Sequence, residues 1–121
     1  MTEIRNEYFP LKEETDTIIH FGFEVYKILG FGFLEIVYKD ALEYEFIKND
    51  ILFTREKEYI VQYKDSILRH KFHADFIVFD SVILEVKAKE GIAHDDLART
   101  INYLKCSGCK VGLILNFGRS N

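Results

Sequence analysis

No stretch of this sequence is apolar over the roughly 20 residues that a membrane-spanning helix needs. The opening residues, Met1 to Glu7, lack the basic and apolar regions of a secretory leader, so the cytoplasm is the expected compartment. Proline is nearly absent: the single Pro10 closes a polar N-terminal arm, residues 1–10. Repeats, low-complexity tracts and linker-like stretches are missing too, so residues 1–121 are expected to form one domain. Positive charge is in short supply, with 16 Lys and Arg against 20 Asp and Glu and a net charge of −4. Binding nucleic acid through bulk electrostatics takes a basic chain, so any such contact here must be local or must use bound cations. Cysteine is limited to Cys106 and Cys109, a C-x-x-C at the end of a helical pattern. Thiol activation needs the opposite, N-terminal end of a helix. Zinc needs further ligands, and no second cysteine pair exists. Both are therefore expected to be reduced and structural.

What is present suffices for a core. Apolar residues make up 48% and aromatics 15%, while charges of both signs, 30% in all, are interspersed and exclude disorder. Ile18, Ile19, Gly22, Val25, Tyr26 and Leu29 recur at helical spacing, with Gly30 as a C-cap. After a Gly30-Phe31-Gly32 turn, a second helix is predicted from about Leu34 to Lys48, on the spacing of Val37, Tyr38, Ala41, Leu42 and Glu45. The pattern then turns to strands at 57–63, 68–79 and 82–88. A third helix starts at Gly91 and carries Leu97, Ile101 and Leu104, and Val111 to Leu115 read as a buried strand. Helix, helix, three strands, helix, strand implies an α/β fold, a mixed sheet of about four strands with helices on both faces.

Alternation places Glu85 and Lys87 on one face of one strand, and Phe72, Ala74, Phe76 and Val78 opposite Lys71, His73, Asp75 and Ile77 on the strand before. A two-residue loop at Asp80-Ser81 would put Asp75 on the wrong face. An odd loop or a bulge would bring it beside Glu85 and Lys87. Composition favours the odd count, which keeps Phe76 and Val78 away from the polar face of the next strand. Two carboxylates and a lysine on a half-buried sheet are costly without a partner, and a divalent cation with oxygen ligands, Mg²⁺ or Mn²⁺, would relieve them. The alternative is a strand-face Glu–Lys pair with Asp75 solvated.

Asp75 followed by Glu85-Val86-Lys87, in a hairpin between helices, resembles the restriction-endonuclease-like PD-(D/E)XK superfamily. Gly32-Phe33-Leu34-Glu35-Ile36-Val37-Tyr38 is similar to the signature of its GxxExxY branch. Family-like stretches extend the resemblance over residues 15–118. It implies a Mg²⁺- or Mn²⁺-dependent nuclease acting on nucleic acid. In that reading Asp75 and Glu85 are metal-binding carboxylates, the Val86 carbonyl is a further ligand, Lys87 positions water, and Glu35 completes the site directly or through water. Tyr38 is either a substrate contact or a core tyrosine that holds Glu35. The helix after E-x-K carries Gln-x-x-x-Tyr in the exonuclease-like branches; here it reads Arg99 to Tyr103, with tyrosine kept and glutamine replaced. Arg99 could clamp a phosphate or salt-bridge a site carboxylate and crowd the metal. Tyr103 shares its helix face. His73 is expected to be buried or to act behind the ligands, and Asp95-Asp96 to cap the third helix. The rival reading is a non-catalytic nucleic-acid-binding or interaction module that keeps the fold. A domain this small has few loops to wrap a duplex, so a homodimer or a partner protein is an open expectation.

Overall fold

The computed structural model describes residues 2–5 and 11–119. Strand β1 (Thr2–Arg5) precedes helix α1 (Lys12–Leu29), which ends on Gly30 at φ 67°, a positive-φ cap position that its glycine announces. Helix α2 (Glu35–Lys48) follows. Then come β2 (Phe53–Tyr59), a small hairpin of β3 (Gln62–Tyr63) and β4 (Ser66–Ile67), β5 (Phe72–Val78) and β6 (Val82–Lys87). Helix α3 (His94–Ser107) and β7 (Val111–Asn116) complete the chain.

Five strands form one mixed sheet in the order β1-β7-β6-β5-β2, and β3 and β4 pair apart from it. β6 and β7 run parallel, with α3 as the crossover between them; the other pairs are antiparallel. The sheet has one strand more than the apolar pattern implies, because Thr2–Arg5 adds along the β7 edge. Part of the expected N-terminal arm is thus a strand, and residues 6–10 lie outside the described residues. A strand with a single aliphatic residue, Ile4, gives no apolar alternation to read. Two strand boundaries also move: β2 starts at Phe53, ahead of residue 57, and β5 starts at Phe72, because residues 60–71 belong mainly to the hairpin arm. α3 begins at His94 rather than Gly91.

Helices do cover both faces. Ile18, Phe21 and Val25 of α1 and Tyr38, Leu42 and Phe46 of α2 pack with Phe76, Leu84, Val86, Leu113 and Leu115. On the other face Leu104 packs with Ala74, Ile77, Ile83 and Cys109. Glycine permits close approach on each side. A Cβ on Gly22 would stand 3.0 Å from Leu115 Cδ1, and one on Gly112 would stand 2.7 Å from Thr100 Cγ2. Cys106 is exposed, Cys109 is buried, and they do not bond to each other.

Candidate active site

The β5–β6 hairpin decides where Asp75 goes. Val78 pairs with Val82, so three residues, Phe79, Asp80 and Ser81, form the loop. The count is odd, and Asp75 falls beside Glu85, one step beyond the Phe76–Leu84 pair. Phe79 and Asp80 both take left-handed backbone, at φ 56° and 55°. Aspartate tolerates this region and phenylalanine does not, which is why turn chemistry alone leaves the loop length open. Bonds from Phe79 N–H to Leu52 O (2.8 Å) and from Ser81 N–H to Val78 O (3.1 Å) hold the turn.

Beyond Phe76 and Leu84 the sheet forks. β5 stays paired with β2 as far as Phe72–Tyr59, and β6 stays with β7 as far as Lys87–Asn116, but the register between β5 and β6 stops. Side chains bridge the gap. The Asp75 N–H donates to Glu85 Oε2 and the Val86 N–H donates to Asp75 Oδ2, each at 2.8 Å. The two carboxylates thus occupy the positions where ladder carbonyls would sit.

The alternation of both β5 and β2 reverses at this level. Phe76 and Phe53 face α2 through Phe46, whereas Phe72 stacks on Tyr103 of α3 at 4.2 Å and Tyr59 on Phe72 at 5.3 Å. The turnover lies at Asp75 and at the residue facing it, Glu56, whose φ is 55°. The unbroken alternation expected of 68–79 therefore fails, and Ala74 packs on the α3 side. A left-handed glutamate in a strand carries no glycine or asparagine to flag it.

Glu85 is 4% exposed. Burial, then the charge of Asp75, push its carboxyl up to about 8, against the Asp75 N–H bond and the charges of Lys87 and Lys39. Among the described residues, Oε1 of Glu85 has no hydrogen-bond or ion-pair partner. The sequence reading missed Lys39. Buried on α2, its ammonium reaches Asp75 Oδ1 at 2.9 Å and Glu56 Oε1 at 2.5 Å. Burial pulls its pKa down, but the hydrogen bonds to Glu56 and Asp75 outweigh that and leave it raised. A signal existed: the spacing 39, 42, 46 puts this lysine on the apolar stripe of the helix.

The remaining candidates divide. Lys87 is half-buried on the Glu85 face, and its charge acts on both Glu85 and Asp96. The segment after it is clamped by Asn116, also missed, which accepts from Lys89 N–H (3.2 Å) and donates to Lys89 O (2.8 Å). Tyr103 is near enough to the pair that Glu85 and Asp75 raise its pKa, after burial, while Arg99 lowers it. Arg99 is exposed, and its one ion pair among the described residues is with Asp96 at 3.7 Å, so it does not crowd Asp75 or Glu85. Asp96 caps α3 by accepting from Ala93 N–H, and it pairs with Lys89 at 2.6 Å.

Tyr38 is not available to a substrate. It is fully buried, stacked on Phe117, and its hydroxyl donates to Gly30 O at 2.6 Å and accepts from Phe33 N–H at 3.3 Å. Its work is to fasten the turn that starts α2. Glu35 begins that helix but joins no cluster: among the described residues no three His, Cys, Asp or Glu side chains converge to hold a metal. Lys39, one turn on, reaches Asp75 in its place. His73, expected to be buried or behind the ligands, is exposed and pairs with Glu58 at 3.2 Å.

A family model of the PD-(D/E)XK nuclease superfamily matches residues 12–121. The chain belongs to the PD-(D/E)XK nuclease superfamily. No curated protein and no solved structure matches it. PD-(D/E)XK nucleases usually use divalent metals, and the donor chemistry at the fork fits a hard cation. Glu85 presents a buried oxygen without a partner among the described residues, beside a second carboxylate, in a place where burial disfavours its charge. No helix among the described residues is long and apolar enough to cross a membrane.

Proposed function

We propose that this domain is a divalent-metal-dependent nuclease of the GxxExxY kind that hydrolyses phosphodiester bonds in nucleic acid. The observation that carries the reading is the buried Glu85 Oε1, without a partner among the described residues, beside Asp75 at the fork of the sheet. Asp75, Glu85 and the Val86 carbonyl would hold Mg²⁺ or Mn²⁺, with Glu35 contributing only through water. When bound, the cation offsets charge on the phosphoryl oxygens and polarises them. The chain's own groups do the rest. Glu85 and Asp75 bridge the fork through the Asp75 and Val86 amides, which fixes the direction of their remaining lone pairs. Lys87, whose carbonyl accepts from Phe117 N–H at 2.8 Å, orients the attacking water and donates to it. Arg99, exposed on the same helix face as Tyr103, presents a planar guanidinium to a backbone phosphate.

Net acidity leaves this binding local: a bound cation and Arg99 replace a broad basic surface. The cytoplasm, and a homodimer or partner protein that widens the grip on nucleic acid, belong to the same proposal. One observation favours a second reading, a nucleic-acid-binding module without chemistry: Lys39 already supplies a cation to Asp75.

The test is cleavage of end-labelled single- and double-stranded DNA and RNA with Mg²⁺, Mn²⁺ or EDTA, comparing wild type with Glu85→Ala. Metal-dependent products from wild type alone support the nuclease. Binding of these nucleic acids without cleavage of any of them supports the module.

A further inference from the structure

We propose that Lys39 is a tethered cation standing in for a second divalent ion, so that the fork takes one metal and not two. This rests on the metal-site reading above. The ammonium is held by two carboxylates from different strands, Asp75 on β5 and Glu56 on β2, at 2.9 and 2.5 Å. Two carboxylates converging on one small cation is the arrangement a bridging metal would adopt, here supplied by a covalently attached charge.

The arrangement is built by the backbone. Glu56 and Asp75 face each other across β2 and β5, where the alternation of both strands turns over and where Glu56 takes its φ of 55°. Lys39 is held in turn by its place on α2, between Tyr38 and Leu42, both fully buried. An ammonium so placed does not swing into solvent as a surface lysine does.

The partners divide the oxygens of the site into two groups. Asp75 Oδ1 and Glu56 Oε1 belong to Lys39, and Asp75 Oδ2 accepts from the Val86 amide. Asp75 Oδ2 keeps its second lone pair, and Glu85 Oε1 has no partner among the described residues, so these two oxygens are left for an added ion. A divalent cation at Glu85 has room; a second one at Asp75 Oδ1 would meet a fixed positive charge within a few ångströms, in a site where charges are poorly screened.

Mn²⁺ binding, followed by calorimetry and by the electron paramagnetic resonance of free ion, tests this on wild type, Lys39→Met, Lys39→Arg and the double variant Lys39→Met with Glu56→Gln. Wild type and Lys39→Arg are expected to bind one ion. Lys39→Met is expected to bind two, the first about tenfold tighter or more because a nearby positive charge is gone. The double variant should return to one. Two ions on wild type, or one on Lys39→Met with unchanged affinity, would overturn the proposal while leaving the metal site standing. No ion on either protein would overturn the metal reading and the proposal with it. A second measurement needs no variant: in wild type with ¹⁵N-labelled lysine, the Lys39 ammonium signal should persist through saturation with Mg²⁺. Its loss on adding Mg²⁺ would show that the metal displaces Lys39, contrary to the proposal.

Discussion

Replacing Glu85 by glutamine should stabilise the metal-free protein, and by an amount that depends on pH. Glutamine keeps the shape and can still accept the Asp75 N–H, but it has no charge to bury. The folded-state pKa of Glu85 is raised from 4.5 to about 8, so folding favours the protonated form. The stability this group contributes is fully present below its unfolded pKa and is lost as pH rises through its folded pKa. At pH 7 the interval is about 2.5 pH units above the unfolded value, which at about 1.4 kcal/mol per unit makes the ionisable side chain cost on the order of 3–4 kcal/mol. Urea unfolding in EDTA at pH 5, 6, 7, 8 and 9 reads this directly. The advantage of Glu85→Gln over wild type should be small at pH 5, grow by about 1.4 kcal/mol per unit, and level off above pH 8. Asp96 does not confuse the window: burial raises its pKa, but the Lys89 pair and the Ala93 N–H outweigh that and lower it, so its stability is lost only in acid. A constant difference across the range, or a wild type that gains stability relative to the variant as pH rises, would refute the reasoning.

Further outcomes are expected at the same site and behind it. Saturating Mn²⁺ should raise the melting temperature of wild type, equivalent to about 2.7 kcal/mol at 100 times the dissociation constant, and Asp75→Asn and Glu85→Gln should lose most of that response in a thermal-shift titration. Lys87→Ala should bind metal at least as well as wild type and cleave labelled substrate little or not at all. Arg99→Gln should weaken substrate binding and leave metal affinity unchanged in calorimetry, because Arg99 pairs with Asp96 and not with the site carboxylates. Tyr38→Phe should cost about 1–2 kcal/mol in urea unfolding, as the turn loses its two hydrogen bonds, with activity per folded molecule close to wild type.

The parts of the site that alternate were legible in the sequence. Glu85 and Lys87 share a face because they are two apart on a regular strand, and Asp75 comes beside Glu85 through a loop of odd count, which the composition of the two strands favours. The helices were legible from spacing and from Gly30, whose positive φ ends α1. What was hidden depends on broken patterns. The reversal at Glu56 and Asp75 has no sequence marker, so the convergence of Glu56, Asp75 and Lys39 could not be read from strand parity. The spacing 39, 42, 46 puts Lys39 on the apolar stripe of its helix, but only the docked helix shows that it reaches the fork. β1 was hidden because one edge partner, β7, supplies its pairing rather than an apolar pattern of its own. Tyr38 shows the limit of a motif: its position was marked, but only the docked turn shows that its hydroxyl is spent on Gly30 and Phe33.

The most direct measurement is anomalous diffraction at the manganese edge from crystals grown with Mn²⁺. A peak is expected at the fork, against the carboxylates of Asp75 and Glu85, with Lys39 still on Asp75 and Glu56. Saturated crystals with no anomalous density between Asp75 and Glu85, or with manganese only at surface carboxylates, would contradict the claim that this fork is a metal-dependent nuclease site.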